Sequence, residues 1–264
     1  IGDVAHVLED MLRIWRDGAY QVDKSALSVW WDEIAQWRGR DCLAYEKSTD
    51  QIKPQYAVER LYQLTKDRKT FITTEVGQHQ MWAAQHYHFE EPNRWMTSGG
   101  LGTMGYGVPA AVGVQIAHRD ALVIDIAGEA SVQMTMQEMA TAIQYRLPIK
   151  LFILNNEYMG MVRQWQELLH GGRYAHSYSE ALPDFVKMAE AFGATGIRAQ
   201  TPEELDAGIE QMMATDGPVI FDCVVTKEEN CFPMIPSGKA HNEMILAGGK
   251  ASDVEISEEG KALV

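Results

Sequence analysis

The stretches LVIDIA (122–127) and IKLFIL (149–154) are near-continuous apolar runs that each stop at a polar cluster, Gly128-Glu129-Ala130-Ser131 and Asn155-Asn156. A strand without polar alternation is buried on both faces, which is the condition of a parallel sheet covered by helices. Parallel neighbours need a crossover of about a dozen residues. The helical pattern over 133–146 supplies one. The same alternation runs down the chain. Strand 70–75 is followed by a helix near 79–87, and the glycine-rich loop SGGLGTMGYG (98–107) by helix 108–118 and strand 121–127. Strand 149–154 is followed by helix 159–169, a helix at 183–192 by strand 194–198, and helix 202–214 by strand 218–225. The expected fold is α/β, a three-layer, doubly wound, mostly parallel sheet with helices on both faces.

Two further helices precede this pattern, over 3–16 and 24–38, with Asp3 as N-cap of the first and Gly39 ending the second. Trp15, Trp30, Trp31 and Trp37 lie on them. Such a stripe must cover apolar surface, in this chain or in a domain outside it. Pro54 then opens PQYAVERLYQLTKD in the favoured first-turn position. The expected organisation is therefore 1–53 as the end of a preceding domain plus a helical linker, 54–246 as the main domain, and 247–264 as a loosely held polar tail. The chain begins Ile1-Gly2 without Met and reads as a piece of something longer. A net charge of −14 argues against nucleic acid and anionic membranes, which need clustered Lys and Arg. No apolar run reaches the roughly 18 residues of a membrane span. Three cysteines without CxxC spacing point to reduced thiols and a cytoplasmic setting.

In open parallel sheets, ligands sit beyond the carboxyl ends of the strands. A carboxylate, Glu129, and an amide, Asn156, stand there. Both are hard oxygen ligands suited to Mg²⁺, which also takes phosphate oxygens. Ala130 and Ser131 begin one helix, Gly160 and Met161 another, and helix N-termini offer N–H groups to phosphate. The expected ligand is a diphosphate bridged to Mg²⁺. Read alone, these residues are equally at home as helix caps and turn formers. The histidines His86 and His88 lack a third metal ligand and read as structural.

The spacing of Glu129 and Asn156, 27 residues, resembles the thiamine-diphosphate signature, an acid within Gly-Asp-Gly or a variant followed by Asn-Asn. GQHQMWAAQ (77–85), SGGLGTMGYGVPAA (98–111), QEMATAIQY (137–145), NNEYMGMVRQWQ (155–166) and ENCFPMIPSGKAHNEM (229–244) extend the likeness. Over roughly 55–246 the chain is similar to the C-terminal, cofactor-binding domain of the acetohydroxyacid (acetolactate) synthase catalytic subunit. Residues 1–18 resemble the last piece of that family's middle domain.

The resemblance implies thiamine diphosphate and Mg²⁺ as cofactors, with FAD bound mainly by the middle domain. It implies that Glu129 and Asn156 hold the metal by side chains and Tyr158 by its carbonyl. Gly77, Gln78 and His79 would contact the diphosphate, with Gly128, Ala130, Ser131, Gly160 and Met161 around it. Gly102 and Met104 would line the aminopyrimidine, Met104 forcing the two rings of the cofactor into a V that brings the exocyclic amine close to the thiazolium carbon. Trp165 would stand on the substrate channel. The implied reaction decarboxylates pyruvate and ligates the two-carbon unit to pyruvate or 2-ketobutyrate, for branched-chain amino-acid synthesis. Related carboligases and decarboxylases with the same cofactor, such as glyoxylate carboligase or pyruvate oxidase, are the alternatives, together with a non-catalytic assembly module of the same fold. The implied partners are a second copy of the chain, whose N-terminal domain completes the active site, and a regulatory subunit.

Two departures matter. Glu129 stands where the family pattern has Asp, and the extra methylene displaces the carboxylate by roughly 1.5 Å. Weaker Mg²⁺ binding than in a Glu129→Asp variant is expected. The cofactor-activating glutamate belongs to another domain, so this chain alone is expected to be inactive and to hold no catalytic residue of its own.

Overall fold

A computed structural model describes residues 1–247. The expected tail, 247–264, lies outside the described residues from 248 onward. The chain forms two compact units, Ile1–Cys42 and a second from Leu43 onward. The first contains α1 (Val4–Asp17) and α2 (Lys24–Arg38), whose N-caps Asp3 and Asp23 accept backbone N–H groups of their first turns. Trp15 lies against Tyr20, and Trp30 meets Trp37 edge-on.

The second unit holds α3 (Pro54–Thr65), β1 (Thr70–Thr74), α4 (Gln78–His86), β2 (Trp95–Thr97), α5 (Gly107–Ala117), β3 (Leu122–Gly128), α6 (Glu129–Gln133), α7 (Met139–Gln144), β4 (Lys150–Asn155), α8 (Gly160–Leu168), α9 (Phe185–Phe192), β5 (Thr195–Ala199), α10 (Pro202–Ala214) and β6 (Val219–Val224). The six strands form one sheet in the order β2-β1-β3-β4-β6-β5, and all five pairings are parallel. Period-two geometry sorts the continuous apolar strands onto two cores. Ile124, Ile126, Phe152 and Leu154 pack with α3, α4 and α10, through Leu61, Trp82 and Ile209 among others. Val123, Ala127, Leu151 and Ile153 pack on the other face with α5, α7 and α9, through Val108, Met139 and Phe185. These two cores make the three layers expected from the sequence. Among the described residues, no helix is long and apolar enough to cross a membrane.

The chain leaving β1 turns to β2 on one side, while the chain leaving β3 turns to β4 on the other. The crevice above β1 and β3 is thus the topological switch point at which such sheets take ligands.

The sequence reading needs two corrections here. The helix expected over 133–146 is broken into α6, a 3₁₀ turn at Met136–Glu138, and α7. Thr135 leaves the helical path (φ −136°) because its hydroxyl donates to the Gly105 carbonyl at 3.0 Å. The first break therefore starts a helix at Glu129 itself. The three-residue β2 is too short to register in a periodicity, yet it pairs in register with β1.

One buried polar cluster holds the loop 98–107 to the sheet. Glu75, fully buried after β1, accepts backbone N–H from Gly105 at 2.6 Å and from Val108 at 3.1 Å, at the start of α5. Asp125, the acid inside the apolar run of β3, lies alongside and takes the Thr73 hydroxyl at 2.8 Å. Burial, then the neighbouring Glu75 charge, pushes the Asp125 carboxyl well above the carboxylate range. Glu75 is raised by burial too, but four backbone N–H groups oppose the shift, so of the two carboxyls Glu75 is the better placed to carry a charge. Asp125→Asn should accordingly change unfolding free energy by less than about 1 kcal/mol at pH 7, whereas Glu75→Gln should cost about 1.5–3 kcal/mol, as for a hydrogen bond to a charge. Urea unfolding of the two variants checks this, and the opposite ranking would place the charge on Asp125.

Candidate cofactor site

Above the switch point lies a cavity of about 270 Å³. It is lined by three segments that follow β1, β3 and β4: Val76–Trp82, Gly128–Ser131 and Tyr158–Val162, with Gly102, Met104, Leu154 and Asn156 completing it. The site residues expected from the sequence converge here: Gly77, Gln78, His79, Gly102, Met104, Gly128, Glu129, Ala130, Ser131, Asn156, Tyr158, Gly160 and Met161 all line this one cavity. Trp165 does not. It lies half-buried on α8 in an adjoining groove with His170 and Arg173, which shares Met161 and Val162 with the cavity.

Three helices, α4, α6 and α8, begin at the cavity, and none has a side-chain cap. Of the helices that begin elsewhere, α1, α2 and α9 are capped by Asp3, Asp23 and Asp184 and α10 opens with a Thr201–Glu204 capping box, while α3 and α7 have no side-chain cap. An uncapped N-terminus leaves its first N–H groups for a ligand. The helix after β3 has only five residues, so its contribution is the N–H groups of Ala130 and Ser131 rather than a sizeable macrodipole. The Ser131 hydroxyl is turned away, donating to the Val76 carbonyl at 3.1 Å.

The two groups that the sequence sets apart are brought together. Gly128 pairs with Leu154 across β3 and β4, which places Glu129 beside Asn156. Glu129 is 1% exposed, and its carboxylate meets the backbone N–H groups of Asn156 and Tyr158. Its Oε1 has no hydrogen-bond partner, and burial pushes its pKa up to about 8. A buried carboxylate oxygen without a partner is costly, and a cation is the partner that fits it. No group of three or more His, Cys, Asp or Glu side chains converges among the described residues. A cation here must therefore draw on amide, carbonyl and phosphate oxygens, as Mg²⁺ does. The turn after Asn156 is held in place for this: Glu157 takes a left-handed backbone (φ 62°), secured by Ser179 N–H to its carbonyl at 2.8 Å and by Lys227 and Tyr178 on its carboxylate.

His79 is buried with its ring hydrogen-bonded to the Glu75 backbone and Nε2 unpartnered. Burial lowers its pKa to about 3, so the imidazole is neutral at physiological pH. The ring occupies a slot between Gly77 and Gly128, where a Cβ on either residue would come within 2.8 and 2.7 Å of it. Two further histidines, His86 and His88, lie outside the cavity: His86 pairs with Glu59 at 3.4 Å and His88 meets the Tyr62 ring edge-on.

Sequence reasoning passed over three participants. Asp125 was signalled by an acid inside an apolar strand and Glu75 by an acid closing TFITTE. Gln164 carries no signal beyond being polar, yet it is fully buried beneath the cavity wall.

Without metal, the folded chain keeps a proton on Glu129 up to about pH 8, while the unfolded chain releases it near the ordinary 4.5. The folded state then binds more protons, and stability falls as pH rises between those values. His79 acts in the opposite sense only below about 6.5. Glu129 should thus lower the thermal midpoint of the metal-free chain by about 4 °C from pH 6.5 to 8, and in Glu129→Gln the slope should become shallower by that amount, the remainder coming from Asp125, which is raised in the same sense. Calorimetric scans across that range decide it; an unchanged slope in the variant would mean that another group titrates.

The sequence pattern of the family described as "Thiamine pyrophosphate enzyme, C-terminal TPP binding domain" matches residues 75–223. Among curated proteins, the chain is similar to the acetolactate synthase large subunit of Haemophilus influenzae, 42% identical over 94% of this chain and 43% of that protein. It is also similar to the acetolactate synthase isozyme 3 large subunit of Escherichia coli, 42% identical over 94% of this chain and 43% of that protein. The corresponding subunit of Cyanidium caldarium is 43% identical over 93% of this chain and 42% of its own length. The chain thus spans less than half the length of these relatives. The matched stretch begins at Glu75, ends at Cys223 and contains the three segments that wall the cavity after β1, β3 and β4: the chain belongs to the thiamine pyrophosphate enzymes, as their C-terminal TPP-binding domain.

Proposed function

We propose that the chain binds thiamine diphosphate through Mg²⁺ and serves as the cofactor-binding part of an acetolactate synthase catalytic subunit. The observation that carries this reading is the meeting of three uncapped helix starts and the unpartnered Glu129 oxygen over one cavity. Glu129, the Asn156 side chain and the Tyr158 carbonyl hold the metal. The N–H groups at Gln78, His79, Ala130, Ser131, Gly160 and Met161 take the phosphate oxygens. Neutral His79, slotted between Gly77 and Gly128, excludes water from that end of the cavity without adding charge. Gly102 and Met104 bear on the aminopyrimidine from the loop that Glu75 anchors.

When bound, thiamine diphosphate supplies the electron sink that lets a 2-keto acid lose CO₂. The whole protein decarboxylates pyruvate and ligates the two-carbon unit to pyruvate or 2-ketobutyrate, serving branched-chain amino-acid synthesis in the cytoplasm. Trp165, in the groove beside the cavity, limits the size of the second keto acid. FAD, a second copy of the chain and a regulatory subunit belong to the full-length assembly, in which residues 1–53 end the preceding domain. The similarity to three acetolactate synthase large subunits supports this choice over other enzymes of the same cofactor.

Titration calorimetry tests the reading. The chain should bind thiamine diphosphate only when Mg²⁺ is present, and metal-independent binding would remove Glu129 and Asn156 from their role. Mg²⁺ requires a near-ideal octahedron at about 2.0–2.1 Å, which the longer Glu side chain strains. Glu129→Asp should therefore bind Mg²⁺ several-fold more tightly in the presence of the cofactor, and equal affinities would refute the strain. The isolated chain should form no acetolactate in a colourimetric acetoin assay, because the groups that activate the cofactor and bind substrate come from elsewhere. Measurable turnover would overturn that.

A further inference from the structure

Only the oxygen end of an Asn amide can hold a cation, and the two ends are almost the same shape. Something must choose between them. In this fold the choice is made at the cavity wall and in the layer behind it. Asn156 Nδ2 donates to Gln78 Oε1 at 3.3 Å. Gln78 Nε2 in turn donates to Gln164 Oε1 at 2.9 Å and to the Glu229 carbonyl at 2.9 Å. Gln164 closes the row: its Oε1 accepts the Cys231 backbone N–H at 2.7 Å, and its Nε2 donates to the Cys231 carbonyl at 3.0 Å and to Met234 Sδ at 3.2 Å. Gln164, Gln78 and Asn156 are all buried.

Side-chain amides can turn over, but backbone groups cannot. The N–H and C=O of Cys231 therefore fix the sense of Gln164. Gln164 and the Glu229 carbonyl then fix Gln78, and Gln78 presents an oxygen to Asn156. A reversed Asn156 would face that oxygen with its own, and would turn its NH₂ against the Tyr158 N–H that Oδ1 now accepts at 3.2 Å. Two like-with-like contacts in a buried site cost several kcal/mol in sum. The backbone makes room for this row at one place: a Cβ on Gly160 would lie 2.0 Å from Gln78 Oε1 and 3.0 Å from Asn156 Nδ2.

We infer that Gln164 is a positioning residue for the metal ligand Asn156, holding its oxygen toward the cation through Gln78, with the backbone of segment 229–234 as the fixed reference. The inference rests on the reading that Asn156 binds the metal. Gln164 touches neither metal nor diphosphate.

The test uses the whole chain with thiamine diphosphate, Mn²⁺ as the probe, and electron paramagnetic resonance to count free ion. Gln164→Met keeps the volume but loses the acceptor, and Mn²⁺ affinity should fall about tenfold, the usual effect of losing a group that orients a ligand. Gln164→Glu keeps an acceptor for Gln78 and for the Cys231 N–H, and its affinity should stay within about threefold of the original. Both variants lose contacts to segment 229–234, so their thermal midpoints should drop together. A merely structural role would move the midpoint and the affinity in parallel. Undiminished affinity in Gln164→Met, or an equal loss in Gln164→Glu, overturns the inference alone. If the unsubstituted chain binds no Mn²⁺, the functional reading falls and takes the inference with it. If Gln164→Met does not fold, hydrogen exchange of the Asn156 side-chain amide in the metal-free chain decides. Slow exchange is expected of a buried donor held by Gln78, and exchange at the rate of a free amide overturns the assignment.

Discussion

Everything about the site follows from one imbalance: at the carboxyl ends of β1, β3 and β4, the chain buries hydrogen-bonding groups and declines to pair them. The helices α4, α6 and α8 begin without caps, and Glu129 keeps one oxygen partnerless in the interior. Elsewhere α1, α2, α9 and α10 satisfy their starts with Asp3, Asp23, Asp184 and the Thr201–Glu204 capping box, though α3 and α7 also lack a side-chain cap. What sets the cavity apart is that three such starts meet there beside an unpartnered buried carboxylate oxygen. Protein interiors tolerate unpaired polar groups poorly, so the uncapped helix starts and the unpartnered Glu129 oxygen at one cavity describe a partner that fits them: anionic where the N–H groups point, cationic where Glu129 points. A metal-bound diphosphate has both characters in adjacent atoms.

The sheet was readable because parallel strands advertise themselves. LVIDIA and IKLFIL have no polar face, and the helices between them are long enough to cross over. The ends of the strands were readable for the same reason, since an acid and an amide stand out against so apolar a background. What periodicity missed is what periodicity cannot encode. Strand β2 has three residues and owes its existence to pairing with β1. The expected helix over 133–146 broke because the Thr135 hydroxyl found the Gly105 carbonyl, a contact between residues 30 positions apart. Gln164 was invisible because its role depends on residues 78 and 231, and one buried glutamine on a helix looks like any exposed one in a string of letters.

The carboxyl pair Glu75–Asp125 shows a related economy. Two acids share a buried space, and charge is favoured on Glu75, which several backbone N–H groups meet. That charge fastens the loop 98–107, and with it Gly102 and Met104, to the sheet that also carries Glu129. The parts that would touch the two ends of a bound cofactor are therefore referenced to neighbouring strands, β1 and β3, which are in direct register. Residues far apart in sequence are kept at constant separation by the stiffest element of the fold.

Glu75 has one more effect. It already sits at the head of α5, which is the fourth helix to begin near the crevice. That amino end is consequently shut to any incoming anion, because the Glu75 oxygens already occupy its N–H groups. An elongated guest with its charge at one terminus can lie in only one sense, tail toward the open helix heads and neutral ring toward the sealed one. The fold thus reads the polarity of its guest before any part of the reaction begins.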